Sequence, residues 1–494
     1  MLWLFLFVLN FSYGESTINP TALYGEDGSE IPEEDVNSQD VAWSLLKGSD
    51  PRNETWKSVG MIRNDSGGTC TATLIEPPNC QRDISDMKPL VLTNGHCSND
   101  NPDEEPALRG QSILFNRFVD QKDKEISIRK EKTLYTSQKA FDLAFLELSS
   151  TYGDLKKKGV LPKKIAKSSM SGTLANVGVP SSGIDKGKTY LRKSYCPAGE
   201  PVKLMEGSWV WNHQRSITCS VTGGSSGSGL FNEKGELAGL VNTAVHSSRR
   251  GERPCALNNP CEIQSGQPQM KRRNYGFDTR FLHKCFTDCK LDIKKKGCLL
   301  PNDPEMVSSQ WGSFNNDPKN RPLDLKHSQY QSFRGKICLV SDTQCRCDQP
   351  QGYRNVQGTD SLNALAGKNV PDGSYRVCVL GGHGHSWQDL KDATEMPLVV
   401  DTEKPVFEAQ IKKSGDQTEL LLSDRSFHYS VKTVESDSDC YASMRNWVPV
   451  LGYKPNGAAA FNSFLERKLN YNMPRLCVRA TDEAGNIKIT ALKI

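Results

Sequence analysis

Short apolar runs of strand length recur between Val59 and Arg280. Val59-Gly60-Met61-Ile62, Thr71-Ala72-Thr73-Leu74-Ile75, Leu90-Val91-Leu92-Thr93, Ser112-Ile113-Leu114-Phe115 and Leu143-Ala144-Phe145-Leu146 are each set off by Gly, Pro, Asn or charged turns. Many short strands without a long helical repeat predict an all-β barrel or sandwich. The texture ends at Tyr275-Gly276-Phe277-Asp278-Thr279-Arg280, and a Lys-rich stretch with Cys285, Cys289 and Cys298 closes the unit. Before it, Glu15 to about Asn53 is acidic and loop-rich; after it, Pro301 to Pro322 is rich in Asn, Asp, Pro and Ser and reads as a linker.

The C-terminal third carries a weak internal repeat. Tyr375-Arg376-Val377-Cys378-Val379 is similar to Pro474-Arg475-Leu476-Cys477-Val478, 99 residues on, each with an upstream Cys: Cys345 or Cys347 in the first, Cys440 in the second. That period predicts two small β-sandwich domains, each closed by an internal disulfide. The joint Asp401-Thr402-Glu403-Lys404-Pro405 and the turn Asp482-Glu483-Ala484-Gly485-Asn486 resemble the D-T-x-x-P and D-x-A-G-N elements of immunoglobulin-like modules appended to bacterial secreted enzymes.

Composition narrows the class. In 494 residues, 62 Lys+Arg against 58 Asp+Glu leave a net charge of +4, which excludes a polybasic nucleic-acid arm or membrane surface. The 16 Cys fall as ten before residue 300, four between 338 and 378, and Cys440 with Cys477. An even count in every segment implies disulfide-closed domains in an oxidising compartment. The apolar run Met1–Leu9, followed by small Ser12 and Gly14, predicts a signal peptide cut after Gly14. No later apolar run is long enough to span a bilayer. Export makes the sequons at Asn53 and Asn64 candidate glycosylation sites.

Two segments carry candidate chemistry. Gly223-Gly224-Ser225-Ser226-Gly227-Ser228-Gly229 places a serine among glycines that let the backbone turn and aim its N–H groups at one point, as an oxyanion hole needs. Alone it also fits a flexible loop. Leu92-Thr93-Asn94-Gly95-His96-Cys97 ends an apolar run with a His beside a Cys, and a lone His is more often structural. Together with Cys70-Thr71-Ala72-Thr73-Leu74-Ile75 and Phe141-Asp142-Leu143-Ala144-Phe145-Leu146 they form an ordered set, with 46 residues from His96 to Asp142 and 84 from Asp142 to Ser226.

This set resembles the landmarks of the trypsin-like (chymotrypsin-fold) serine endopeptidases. The G-x-S-G-S form of the serine segment and Tyr24-Gly25-Glu26-Asp27 resemble the bacterial glutamyl-endopeptidase-like branch more closely. The resemblance implies a nucleophile at Ser226, a general base at His96, an orienting carboxylate at Asp142 and an oxyanion hole from the N–H groups of Gly224 and Ser226. It also implies a Cys70–Cys97 bridge, and a Cys196–Cys219 bridge is expected beside the serine loop. Ser220 and Val241 take the positions where relatives place a charged specificity residue. Both are neutral here, so an uncharged substrate side chain is expected. Ser225, standing where animal zymogens carry an Asp, cannot form their activating ion pair.

The expected architecture is a signal peptide at 1–14, an N-terminal or pro segment at 15–52, a double β-barrel protease domain at 53–300, and immunoglobulin-like sandwiches at 301–403 and 404–494. The expected function is a secreted, monomeric serine endopeptidase acting on protein or peptide substrates without cofactor or metal. The alternative is an inactive protease-fold adhesion protein. The C-terminal modules suit three roles: holding a cell-surface polymer, positioning a protein substrate, or spacing the catalytic domain. Because every landmark precedes residue 300, residues 1–300 alone are expected to be active. Cys255 and Cys261 flank a short loop and predict a local disulfide, whereas Cys80, Cys285, Cys289, Cys298, Cys345 and Cys347 have no assignable partners. His383-Gly384-His385 lacks a third metal ligand and reads as a solvent loop, while Arg249-Arg250 and Lys271-Arg272-Arg273 read either as solvated turns or as dibasic points where another protease could nick an exposed loop.

Overall fold

The structure is a computed structural model. It describes residues 23–24, 30–31, 45–64, 69–98, 110–180, 189–244, 255, 257–263, 268–269, 271, 273–309, 314–342, 344–414, 417–422, 428–442, 447–450, 458–460, 473–482 and 484–493. The expected signal peptide, Gly25-Glu26-Asp27 and most of the 15–52 segment lie outside the described residues.

Six antiparallel strands close the first barrel: Val59–Asn64, Thr69–Ile75, Leu90–Thr93, Leu143–Leu148, Ile126–Ser137 and Gln111–Phe115, each paired with the next and the last with the first. The second has the same plan. Thr173–Gly178, Arg192–Glu206, Trp209–Ile217, Asn274–Asp278, Leu237–Ala244 and Gly229–Phe231 pair around a ring.

The unbroken apolar runs have a packing cause. Alternate residues of a strand point to opposite faces, and here both faces are buried. Leu90 and Leu92 face the cluster between the barrels, where Phe145 meets Phe231, Leu240 and Phe277; Val91 faces the first barrel's interior with Ile62, Leu74 and Leu146. The two-barrel unit also begins before residue 53. Leu45 bridges Arg192, and Leu46, 2% exposed, joins the inter-barrel cluster. Asn53 is buried and its amide donates to the Lys47 carbonyl at 3.0 Å, so this sequon is closed to a glycosyltransferase in the folded chain.

Disulfides join Cys70–Cys97, Cys80–Cys289, Cys196–Cys219, Cys255–Cys261, Cys285–Cys298, Cys338–Cys345, Cys347–Cys378 and Cys440–Cys477. None crosses the three segments defined by the cysteine counts. Among the described residues no helix is long and apolar enough to cross a membrane.

The second unit departs from the expected sandwich. Among the described residues it is one sheet, with Thr394–Val400, Gly373–His383, Ser332–Leu339 and Arg354–Val356 side by side. The short helix Leu362–Ala366, capped by the Ser361 hydroxyl and ended by left-handed Gly367, buries Leu362 and Leu365 against that sheet. His383-Gly384-His385 forms its exposed turn toward Ser386–Trp387.

This unit is not held by a loose linker. Val399 and half-buried Val340 share an apolar cluster with Met205, Val210 and Ile263 of the two-barrel unit. Ser137 donates to the Pro304 carbonyl at 2.9 Å, and Lys139 reaches the carbonyls of Asp303 and Glu305 at 3.3 and 3.1 Å.

The last unit has two facing sheets. Ala409–Ser414, Gln417–Leu422 and Ala458–Ala460 form one; Val448–Pro449, His428–Val434, Arg475–Thr481 and Ile487–Lys493 form the other. Leu420 and Leu422 pack across the gap on Val431, Leu476 and Val478. The Asn486 amide donates to the Asp401 carbonyl at 2.8 Å, so the late turn and the inter-unit joint hold each other.

Candidate active site

His96 lies just past strand Leu90–Thr93, in the one-turn helix Gly95–Cys97 that the Cys70–Cys97 bridge ties back to the neighbouring strand. Gly95 is required there: a Cβ would stand 2.1 Å from the Ser137 carbonyl oxygen. Asp142, 1% exposed, precedes strand Leu143–Leu148. Its neighbour Phe141 is locked between Phe281 and His213, with ring centroids 4.2 and 5.2 Å away.

Asp142 holds His96 twice. The backbone N–H of His96 donates to Oδ1 at 2.9 Å and ring Nδ1 to Oδ2 at 2.6 Å. A carboxylate only accepts, so the ring proton sits on Nδ1 and Nε2 is left as the basic nitrogen. The Asn94 amide fixes the Asp142 carbonyl at 2.9 Å. Cys70 and Cys97 cluster with His96, but their sulfurs are bonded to each other and offer no thiolate to a metal.

Ser226 comes from the other barrel, on the loop before strand Gly229–Phe231. Three backbone hydrogen bonds hold that loop. The N–H groups of Ser225, Gly227 and Ser228 donate to the carbonyls of Thr222, Val241 and Ser225 at 2.9, 3.1 and 2.8 Å. Those of Gly224 and Ser226 donate to nothing among the described residues. Gly224 has φ +91°, a conformation that glycine adopts without strain. Two free N–H groups, one on the serine and one two residues before it, can hold a developing oxyanion.

His96, Asp142 and Ser226 line one cleft of about 260 Å³, walled by Val221, Thr222 and Gly223 on one side and Asn242, Thr243 and Ala244 on another. Ser220 and Val241 do not line it. Val241, with no exposure, points into the second barrel's core with Ile217 and Leu230, and Ser220 is equally buried.

Instead the cleft contains a residue that the sequence did not single out. Glu206, 2% exposed, ends the long strand Arg192–Glu206 and accepts from the Asn258 N–H at 2.7 Å and from Thr243. Burial pushes its carboxyl up to about 7; the Thr243 and Asn258 hydrogen bonds and His96 pull the other way. Nothing in the local sequence marks it, because its partners come from a remote strand and a remote turn. Lys271 and Arg273, read as a solvated turn, reach Glu262, a carboxylate 1% exposed, at 3.2 and 3.7 Å.

The family model described as a trypsin-like peptidase domain matches residues 70–240, the span from Cys70 to the strand after Ser226. The chain carries a trypsin-like peptidase domain. No curated protein matches it. Among solved structures, it is similar to a Glu endopeptidase in complex with MPD, at 15% identity over 47% of this chain and 89% of that one, with a TM-score of 0.33. It is also similar to the thermostable serine protease AL20 from an extremophilic microorganism, at 17% identity over 46% of this chain and 92% of that one, TM-score 0.30. The Rv3671c protease in its inactive form matches at 14% identity over 47% and 88% of the two chains, TM-score 0.30. In this trypsin-like domain each barrel contributes one side of the cleft.

Proposed function

We propose that the chain is an exported serine endopeptidase working through an acyl-enzyme on Ser226. The Ser226 hydroxyl oxygen attacks the scissile carbonyl while His96 Nε2 takes its proton. The carbonyl oxygen, now anionic, is held by the N–H groups of Gly224 and Ser226, each worth about 3–4 kcal/mol in comparable sites. The C–N bond breaks as His96 returns the proton to the leaving amine. Water, deprotonated by the same nitrogen, then releases the acyl group. Asp142 stays ionised throughout and supports the imidazolium.

The observation that carries this reading is the double hold of Asp142 on His96, in one cleft with Ser226, whose own N–H and that of Gly224 are unengaged among the described residues. Eight disulfides support export. The G-x-S-G-S segment favours the bacterial glutamyl-endopeptidase-like branch. The two-sheet last unit with its internal bridge supports an immunoglobulin-like module there. A fluorophosphonate probe tests the assignment: wild type labels and hydrolyses casein, Ser226→Ala does neither. An unlabelled, folded wild type would leave the inactive binding protein as the reading.

A further inference from the structure

Next to the catalytic cleft, and sharing Gln138 and Trp209 with it, lies a second cavity of about 460 Å³ between the protease and the second unit. The protease side supplies Lys139, Lys203 and His213; the second unit supplies Arg346, Arg376 and Lys391. Against these five permanent cations and a histidine stand two carboxylates, Asp348 and Glu395. Both carboxylates are already engaged. Asp348 pairs with Arg346, while Glu395 lies 3.8 Å from Arg376 and accepts from the Asn212 amide at 2.9 Å.

Lys391 is held by the carbonyls of Ile293 and Leu300 at 2.9 and 3.3 Å, and Asp392 faces both Lys391 and Lys139. Lys203 is different. Among the described residues its ammonium makes no hydrogen bond or ion pair, and it faces the like charges of Arg376 and Arg346 with only Glu395 in attraction. Burial, and then those two guanidinium groups, pull its pKa down; burial, Arg346 and Lys203 do the same to His213. Lys139 and Arg376 are buried, Lys203 and Lys391 half-buried, and Arg346 stands exposed at the rim. The inner cations repel one another where water screens them least, and an anion entering relieves that repulsion.

We infer that this interdomain pocket is a subsite for an acidic side chain of the polypeptide substrate, with Lys203, Arg346 and Arg376 as its cationic wall. The occupant is the substrate because the pocket opens beside the catalytic cleft through residues common to both. Its volume takes a glutamate side chain with room to spare. The inference rests on the peptidase reading, and it gives the second unit a part in choosing substrates.

The test uses the full chain and internally quenched peptides identical except for Glu or Gln at single positions within four residues of the cut. At one or more positions the Glu peptide is expected to have a KM roughly tenfold lower, the effect of about 1.4 kcal/mol of binding. Lys203→Gln and Arg346→Ala are expected to bring that advantage within twofold. A wild type that cleaves both sets equally, or an advantage that survives both substitutions, overturns the subsite. So does glutarate altering Gln-peptide rates while Glu gives no advantage, which would assign the pocket to a small effector. If the chain neither labels nor cleaves, the peptidase reading has failed. Calorimetric binding of the Glu and Gln peptides to Ser226→Ala, with and without Lys203→Gln, then decides the pocket separately: loss of a Glu preference with Lys203 supports it, and equal binding overturns it.

Discussion

The hydroxyl of Thr71 donates to the carbonyl of Gly224 at 3.0 Å, and the N–H of the same threonine donates to the carbonyl of Ser226 at 2.8 Å. One residue of the first barrel thus grips both residues whose N–H groups are left unengaged among the described residues. Thr71→Val keeps the shape and the backbone bond but removes the hydroxyl, which also accepts from Val179 N–H at 2.9 Å. Stability is expected to fall by about 1–3 kcal/mol, and kcat by roughly tenfold with KM little changed. An unchanged kcat would show that the loop holds its shape without this contact.

Asp142→Asn tests the hold on His96. An amide that turns its NH₂ toward Nδ1 forces the proton to Nε2, removing the base. The expected loss in kcat is about 10⁴-fold with the fold retained, measured against wild type on the same peptide. A loss under tenfold would mean that His96 is oriented by something else.

Ser225 is no ion-pair partner, but its hydroxyl accepts from the Thr222 N–H at 3.2 Å and its own N–H returns a bond to the Thr222 carbonyl at 2.9 Å. The serine therefore closes the turn through its side chain, in addition to the glycines. Ser225→Ala loses one such bond, so kcat/KM is expected to drop by no more than about tenfold, about 1.4 kcal/mol. A hundredfold drop in a correctly processed sample would give Ser225 a larger part in organising the loop.

The expectation that residues 1–300 suffice is revised by the packing of Val399 and Val340 on Met205 and Val210. Met205 and Val210 flank Glu206 and Trp209 of the cleft wall. Val399→Asp in the full chain puts a charge into that contact. It is expected to lower kcat/KM on peptides at least tenfold, and a chain ending at residue 300 to do no better. Full activity in both would return the second unit to the role of a spacer.

Glu206 makes stability depend on pH. Its carboxyl titrates about 7 when folded against 4.5 as its ordinary value, so between those values the folded chain holds the extra proton. Stability therefore declines as pH rises from about 4.5 to 7, by up to about 3 kcal/mol. Glu206→Gln, in a Ser226→Ala background that prevents self-digestion, is expected to gain melting temperature relative to its parent as pH goes from 5 to 8. A constant difference between the two would contradict the raised carboxyl.

What the sequence made legible was local. Glycines around Ser226, the His96 segment after an apolar run and Asp142 before another announce themselves because each needs its immediate neighbours to set its backbone. Glu206 is invisible because its partners, Thr243 and Asn258, are brought by a strand and a turn remote in sequence. Val241 misled by alignment, since strand alternation turns its side chain into the core. The docking of the second unit was equally hidden. Val399 and Met205 are ordinary strand residues until a partner surface covers them. The sandwich expected at 301–403 came from a repeat in one strand, and one strand does not decide whether a second sheet lies behind it.

The Cys80–Cys289 bridge, joining residues 209 apart, encloses His96, Asp142 and Ser226 in a single covalent ring. A single cut inside that ring, for instance at the dibasic Arg249-Arg250, turns the chain into a two-chain molecule and sheds nothing. Such a nicked enzyme would migrate as intact material until reduced, and its halves would stay in register around the cleft. Proteolysis would here need a second cut before it separated Ser226 from His96.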